Sequence, residues 1–225
     1  MMVLDMGAEY AGYTTDLTRS YSVSGVFTED QRAIHAAVHA AQQAVYAQLK
    51  PGVNFPDMHR LAERVLITHL AKIGLLTGGT EAEYAAANMA SVFMPHGLGH
   101  LLGLNVHDVG GFAPGVERCC EPGLAWVRCY RVLEPGMVVT VEPGIYFNMP
   151  WINRALDNPA QAKFIDRAVL KRFETFGGVR LEDDILITED GWENLSGKWP
   201  TTADEIEEVV LGAQRKPAPE DAAAL

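Results

Sequence analysis

The chain is poor in cysteine, with Cys119, Cys120 and Cys129 its only three. An odd number with two of them adjacent does not make a disulfide framework, and without a C-x-x-C pair the usual cysteine-only zinc sites are set aside. Free thiols in a reducing compartment, the cytoplasm, are what this usage predicts. Long apolar runs are missing too, so no segment approaches the length of a membrane span. The opening stretch Met1-Met2-Val3-Leu4-Asp5 has neither the basic nor the apolar region of a secretory leader. Positive charge is scarce: 18 Lys and Arg stand against 29 Asp and Glu, a net charge of −11. That balance argues against nucleic acid as a partner. No short-period repeat is present, which removes solenoids and propellers.

What is there is enough for one domain with a proper core: 225 residues, 48% of them hydrophobic. Val3 to Asp5 and Tyr13 to Val23 read as strands. With Gly7 and Gly12 bracketing the turn, Asp5 and Asp16 are expected opposite each other across a hairpin closed near Tyr10 and Ala11. Thr28 is an N-cap and Gln31 completes a capping box. The helix they start carries an apolar stripe of Ile34, Val38, Ala41 and Val45, and Lys50-Pro51-Gly52 stops it. A second helix is predicted from about Pro56 to Ile73, stopped by Gly74, with Leu61, Val65 and Leu66 inward. Residues 91–124 are rich in Gly and His and read as strand and loop. Met137 to Glu142 reads as a strand broken by Pro143-Gly144, and 151–175 as a helical excursion. Val179 to Thr188 reads as a strand and Ala203 to Val210 as an acidic helix. The folded domain is expected over residues 1–211, with 212–225, rich in Ala, Pro and charge, a disordered tail.

Five segments each place one residue of a metal-ligand type beside a backbone breaker or inside a strand: Asp5-Met6-Gly7, Asp16-Leu17-Thr18-Arg19, His96-Gly97-Leu98-Gly99-His100, Glu142-Pro143-Gly144-Ile145-Tyr146 and Arg180-Leu181-Glu182-Asp183-Asp184. Asp5 sits in Val-Leu-Asp-Met-Gly and Glu142 in Val-Val-Thr-Val-Glu. A carboxylate buried in such a strand is costly unless it is paired or coordinated, and divalent cations would satisfy several at once. Singly each segment is weak, since a strand carboxylate is usually exposed or half of an ion pair. Arg180 lies two residues before Glu182, so on one strand both point to one face.

In this order the segments resemble metallopeptidase family M24, most closely its prolidase-like members. The resemblance runs from residue 2 to about 210. It rests on Leu4-Asp5-Met6-Gly7, Pro95 to His100, Val106-His107-Asp108-Val109-Gly110-Gly111, Gly115-Val116-Glu117-Arg118, Thr140 to Tyr146 and Gly177 to Asp183. It implies a pita-bread α/β fold with two metal ions between its pseudo-twofold halves. Asp5 would hold one ion, Asp16 and Glu182 would bridge both, and His100 and Glu142 would complete the second, with a bridging water as nucleophile. The oxygen-rich donor set suits Mn²⁺. Glu142 would also relay a proton. Arg180 and Tyr146 would orient Asp5, His96 and His107 would face the substrate, and Asp108 reads as structural.

Arg128 aligns with the arginine that holds a substrate carboxylate, a task suited to a planar fork. Arg131 and Arg118 compete for that role. The implied reaction is cleavage of Xaa-Pro dipeptides. Alternatives are an Xaa-Pro aminopeptidase acting on longer peptides and an inactive pita-bread module that binds a protein. Family members are homodimers and carry sequence before the first ligand. The resemblance therefore implies a catalytic domain incomplete in its N-terminal half.

Overall fold

Residues 2–21 fold back on themselves as one antiparallel hairpin in a computed structural model that describes residues 1–214. Its strands are β1 (Met2–Met6), β2 (Glu9–Tyr10), β3 (Tyr13–Thr14) and β4 (Leu17–Tyr21). The turn is Ala11-Gly12, and both residues have positive φ, 52° and 86°. Such two-residue turns match the twist of the flanking strands. They also move the register from the one expected: Asp5 pairs with Thr18, not Asp16. The shift is by two residues, and because strand side chains alternate with period two, Asp16 stays on the face of Thr18 and Ser20. The expected strand from Tyr13 to Val23 is interrupted at Thr15 and Asp16 and ends at Tyr21. The Asp16 backbone N–H is not lost there, since it donates to Asp184 Oδ2 at 3.1 Å.

Helix α1 (Glu29–Tyr46) starts at the Thr28–Gln31 capping box, with both reciprocal hydrogen bonds formed. A cap of this kind contributes roughly 1 kcal/mol. Ile34, Val38, Ala41 and Val45 are all fully buried. Helix α2 (Phe55–Lys72) packs along α1 and has Pro56 in its first turn. Its inward face is Met58, Ala62, Leu66, Ile67 and Leu70, while Leu61 and Val65 are only half-buried at its edge. Gly74 follows with φ 78°, the left-handed turn expected of a helix stop. Two short helices follow, α3 (Glu81–Ala86) and α4 (Met89–Phe93). The start of 91–124 is therefore helical, because Met89 to Phe93 are all apolar or small and all buried.

The second half of the site rests on β5 (Val138–Val141), β6 (Gly144–Tyr146), β7 (Gly178–Arg180), β8 (Asp183–Ile187) and β9 (Trp192–Asn194). Strands β5, β8 and β9 form an antiparallel sheet, and β6 pairs with β7. The strand expected over Val179 to Thr188 is thus two strands, parted at Leu181-Glu182 where the chain passes from one sheet to the other. Between them Glu182 makes an isolated bridge to Thr18, which joins the N-terminal hairpin to this half. The predicted helical excursion is α5 (Met149–Asp157), α6 (Pro159–Ala162) and α7 (Arg167–Leu170). Phe93, Phe147, Phe173 and Phe176 stack beneath it. The last helix, α8 (Ala203–Gln214), runs past the expected boundary at residue 211. Of the expected tail, 212–214 is helical and 215–225 lies outside the described residues. No helix is long and apolar enough to cross a membrane, and all three cysteines are free.

The glycine-rich stretch before His100 lies against β5 as an added extended segment. Glu142 N–H donates to Leu98 O at 2.8 Å, Thr140 N–H to His100 O at 2.9 Å, and His100 N–H to Thr140 Oγ1 at 3.1 Å. A Cβ on Gly99 would collide with the Thr140 carbonyl oxygen. Gly99→Ala should therefore force the two segments apart. An overpacked site of this kind costs about 1–3 kcal/mol, or roughly 2–12 °C in a chain of this size. A thermal melt unchanged within one degree would show that the close approach is not needed.

Candidate metal centre and substrate cleft

Both halves of the fold aim carboxylates at one small volume. Asp5 comes from β1, Asp16 from the break before β4, Glu142 from the end of β5, and Glu182 from the gap between β7 and β8. Asp16, His100 and Glu182 each offer a ligand atom, and these atoms lie within 4.8 Å of one another. His100 Nε2 is 3.5 Å from Asp16 Oδ2 and 3.6 Å from Glu142 Oε1. Asp5 lies at the open side, its Oδ2 accepting from Arg180 Nη2 at 2.5 Å. The structure thus brings together all five residues singled out as ligands.

The electrostatics of this group are unfavourable without a cation. Four carboxylates face one guanidinium, that of Arg180, whose Nε is also 3.6 Å from Glu182 Oε2. Burial raises the Glu182 carboxyl well above the ordinary range and repulsion from Glu142 adds to it, while the Thr18 hydroxyl, donating at 2.6 Å, opposes. Burial raises Glu142 as well, against the pull of His100 and Arg180. Asp5 is also raised, by burial first and then, despite Arg180, by the charge of Asp16. Burial acts in the same sense on Asp16, but hydrogen bonds with His100 and Asp5 bring its carboxyl below the usual value. His100 is raised despite burial, because Asp16, the Leu101 carbonyl and Glu142 all favour its charged form.

The donor set fits divalent ions. The Leu101 carbonyl, 3.0 Å from His100 Nδ1, can only accept, so Nδ1 carries the proton and Nε2 is the atom free to ligate. Four carboxylates and one imidazole make an oxygen-rich site for a hard or borderline cation. Two divalent ions would replace the shared protons and the repulsion in one step.

Arg180 links Asp5 to Tyr146. Arg180 Nη1 donates to the Tyr146 hydroxyl at 2.9 Å, and that hydroxyl is 3.1 Å from His96 Nε2. His96 Nδ1 must donate to the Gly97 carbonyl at 2.7 Å, so the tyrosine proton points to Nε2. Burial holds this imidazole neutral, its pKa down to about 4, and the tyrosine up to about 12. His96 therefore lines the cleft with both ring nitrogens engaged. His107 is exposed, edge-on to His100 with 4.4 Å between ring centroids, and burial followed by His100 and Arg128 lowers its pKa.

A cleft of about 640 Å³ opens beside these groups, lined among others by Asp5, His96, His107, Trp126, Arg128 and Arg180. Of the three arginines considered for a carboxylate, Arg118 is spent on the Ala125 and Val127 carbonyls at 3.0 and 2.9 Å. Arg131 is paired with Glu134 at 2.8 Å. Arg128 is exposed in the cleft and makes no ion pair among the described residues. Asp108 accepts from Asn105 at 3.3 Å, in keeping with a structural role.

Sequence reading overlooked the layer beneath the ligands. Arg19 donates to the Thr18 and Glu182 carbonyls at 2.9 and 2.8 Å and to Asp183 Oδ1 at 2.7 Å. Asp183 in turn accepts from the Tyr46 hydroxyl at 2.8 Å. Asp184, pushed up to about 6 mainly by burial, holds the Asp16 backbone. The available signal was the acidic run Glu182-Asp183-Asp184 on an otherwise apolar strand.

Comparison with known proteins places the chain in a family. A family model, metallopeptidase family M24, matches residues 1–189. The chain is similar to the Xaa-Pro dipeptidase of Mus musculus, 51% identical over 217 residues, which are 96% of this chain and 44% of that protein. The Xaa-Pro dipeptidase of Homo sapiens is 49% identical over 215 residues, 96% and 43% of the two chains. Among solved structures, Pseudomonas aeruginosa aminopeptidase PepP superposes with TM-score 0.73 at 33% identity, over 95% of this chain and 42% of that one. Zinc-substituted Escherichia coli aminopeptidase P in complex with product gives 0.73 at 36%, over 96% and 42%. The fold is thus the pita-bread α/β fold. The chain spans under half the length of these relatives.

Divalent cations should stabilise the protein more as pH rises. Where Glu142, Glu182, Asp5 and His100 have raised pKa values, the metal-free native state holds protons that the unfolded chain has released, and stability from these groups falls with rising pH. A bound cation displaces those protons, so its effect must grow over the same range. Mn²⁺ should raise the melting temperature more at pH 8 than at pH 5.5. A gain independent of pH, or none, would contradict the carboxylate cluster as its binding site.

Proposed function

Because the chain belongs to metallopeptidase family M24, we propose that it forms the two-metal catalytic centre of a hydrolase that cleaves Xaa-Pro dipeptides. The observation that carries the dipeptide reading is Arg128, a guanidinium exposed in the cleft near the clustered carboxylates and without an ion pair among the described residues. Asp5, Asp16, His100, Glu142 and Glu182 are assigned as the ligands, with Asp16 and Glu182 shared between two ions. Mn²⁺ is the ion this oxygen-rich set favours. Bound there, two divalent ions would supply water activated near neutral pH and a Lewis acid for the scissile carbonyl.

The protein's own groups do the rest. Arg128 binds the substrate's terminal carboxylate and fixes how deep the dipeptide sits. His107, exposed at the cleft edge, donates to the peptide carbonyl as charge develops on it. Glu142 accepts a proton at a carboxylate oxygen and returns it to the leaving proline nitrogen. Arg180 and Tyr146 keep Asp5 turned toward the site, and Tyr146 fixes the His96 ring in the cleft wall.

The names of the solved neighbours favour one competing reading, an aminopeptidase acting on longer peptides. Arg128 separates the two, because a carboxylate clamp rewards a substrate that ends at the proline. With Mn²⁺ present, Arg128→Ala should raise KM for Ala-Pro by one to two powers of ten, the value of a charge-assisted contact of about 1.5–3 kcal/mol. KM for the C-terminal amide of Ala-Pro should stay within about twofold. Equal effects on acid and amide would remove the clamp. Faster cleavage of Ala-Pro-Ala than of Ala-Pro would favour the aminopeptidase.

A further inference from the structure

Trp126 faces the same cleft as Arg128, and the residue between them does not. Val127 is fully buried and extended, with φ −62° and ψ 129°. With Val127 turned into the core, its two neighbours in the chain both border the cleft. Trp126 is 57% exposed, a large apolar surface that the fold leaves in water at the mouth of a polar site.

The loop that carries Trp126 is nonetheless held firmly at its backbone. Arg118 Nη1 donates to the carbonyls on either side of that residue, Ala125 O and Val127 O, and its guanidinium lies 4.9 Å over the Phe112 ring. On the inner side the loop presses on Gly97, where a Cβ would lie 2.8 Å from Val127 Cα and 2.9 Å from Trp126 O. Upstream, Arg60 Nη2 pairs with Glu121 at 3.0 Å, tying the loop to α2. A loop fixed in this way loses little further entropy when a ligand covers it.

We propose that Trp126 is the apolar wall that receives the ring of the substrate's C-terminal proline, and so sets preference for proline at that position. The proposal rests on the dipeptide reading above. In a C-terminal residue the carboxylate and the side chain leave the same Cα, so a cation and an aromatic residue that line one cleft two positions apart match both at once. Arg128 recognises any free carboxylate. Trp126 adds the preference for a flat saturated ring, whose C–H edges pack on the electron-rich face of indole.

Calorimetric titration of the Mn²⁺-loaded protein with N-acetyl-L-proline and N-acetylglycine tests this, because both probes carry the same carboxylate and only one carries the ring. The wild type should bind the proline probe about tenfold more tightly. Trp126→Ala should bring the two within about twofold, by weakening the proline probe alone, and Trp126→Phe should keep most of the preference. Arg128→Ala should weaken both probes alike. A Trp126→Ala protein that keeps the proline preference, or that loses both probes equally, overturns the wall. If Arg128→Ala leaves both probes unchanged, it is the dipeptide reading that fails, and if the wild type binds neither, both readings fall.

Discussion

Three carboxylates that are buried or nearly so, and a fourth at the open side, share one small volume with a single guanidinium, and much of the structure around them limits that cost. An isolated ionised carboxylate in such a place is strongly disfavoured, and repulsion among several compounds the penalty. The fold answers in part with protein donors: Thr18 to Glu182, Arg180 to Asp5, His100 to Asp16. The remainder is what makes the site a cation trap. On the proposed reading, the same groups that destabilise the metal-free chain would become ligands, so affinity for divalent ions and stability of the fold would be one quantity seen from two sides.

Holding ligands from distant parts of the chain to a fraction of an ångström requires a stiff support. Here it is the contact between the N-terminal hairpin and the gap between β7 and β8. Thr18 and Glu182 bridge as backbone and as side chains. Arg19 lies under that bridge, with its charge buried against Asp183 and its remaining donors on the carbonyls of Thr18, Glu182 and Pro200. Breaking a buried pair of this sort costs about 3–5 kcal/mol. The hydroxyl of Tyr46 and the amide of Gln42 complete the coordination of Asp183 from α1. Three structural layers thus converge on the backbone of one ligand.

The clustering of the proposed ligands was legible from residues alone, because they sit where the chain's own pattern is violated. An acid in an apolar strand and a histidine after two glycines are locally costly choices, and such conflicts mark function. The capping box at Thr28 and the stop at Gly74 were legible for the opposite reason, since each is a local interaction complete within a few residues. The hairpin register was misread by two residues, because Ala11 adopts a positive φ that alanine rarely takes and that composition does not announce. The error did not disturb the site, as an even slip preserves the face. What the sequence could not show was partnership across long separations. Arg19 with Asp183 and Asp184 with the Asp16 backbone are contacts between segments more than a hundred residues apart. The choice among Arg118, Arg128 and Arg131 likewise turned on which of them the fold had already used.

The central claim is that Asp5, Asp16, His100, Glu142 and Glu182 hold two divalent ions, with Asp16 shared between them. Metal content after equilibration with Mn²⁺ and removal of unbound ion tests it most directly. The account predicts about two ions per chain in the wild type, following from its two-ion ligand set, and one or fewer in Asp16→Asn. Two ions retained in the variant, or none bound by the wild type, would contradict it.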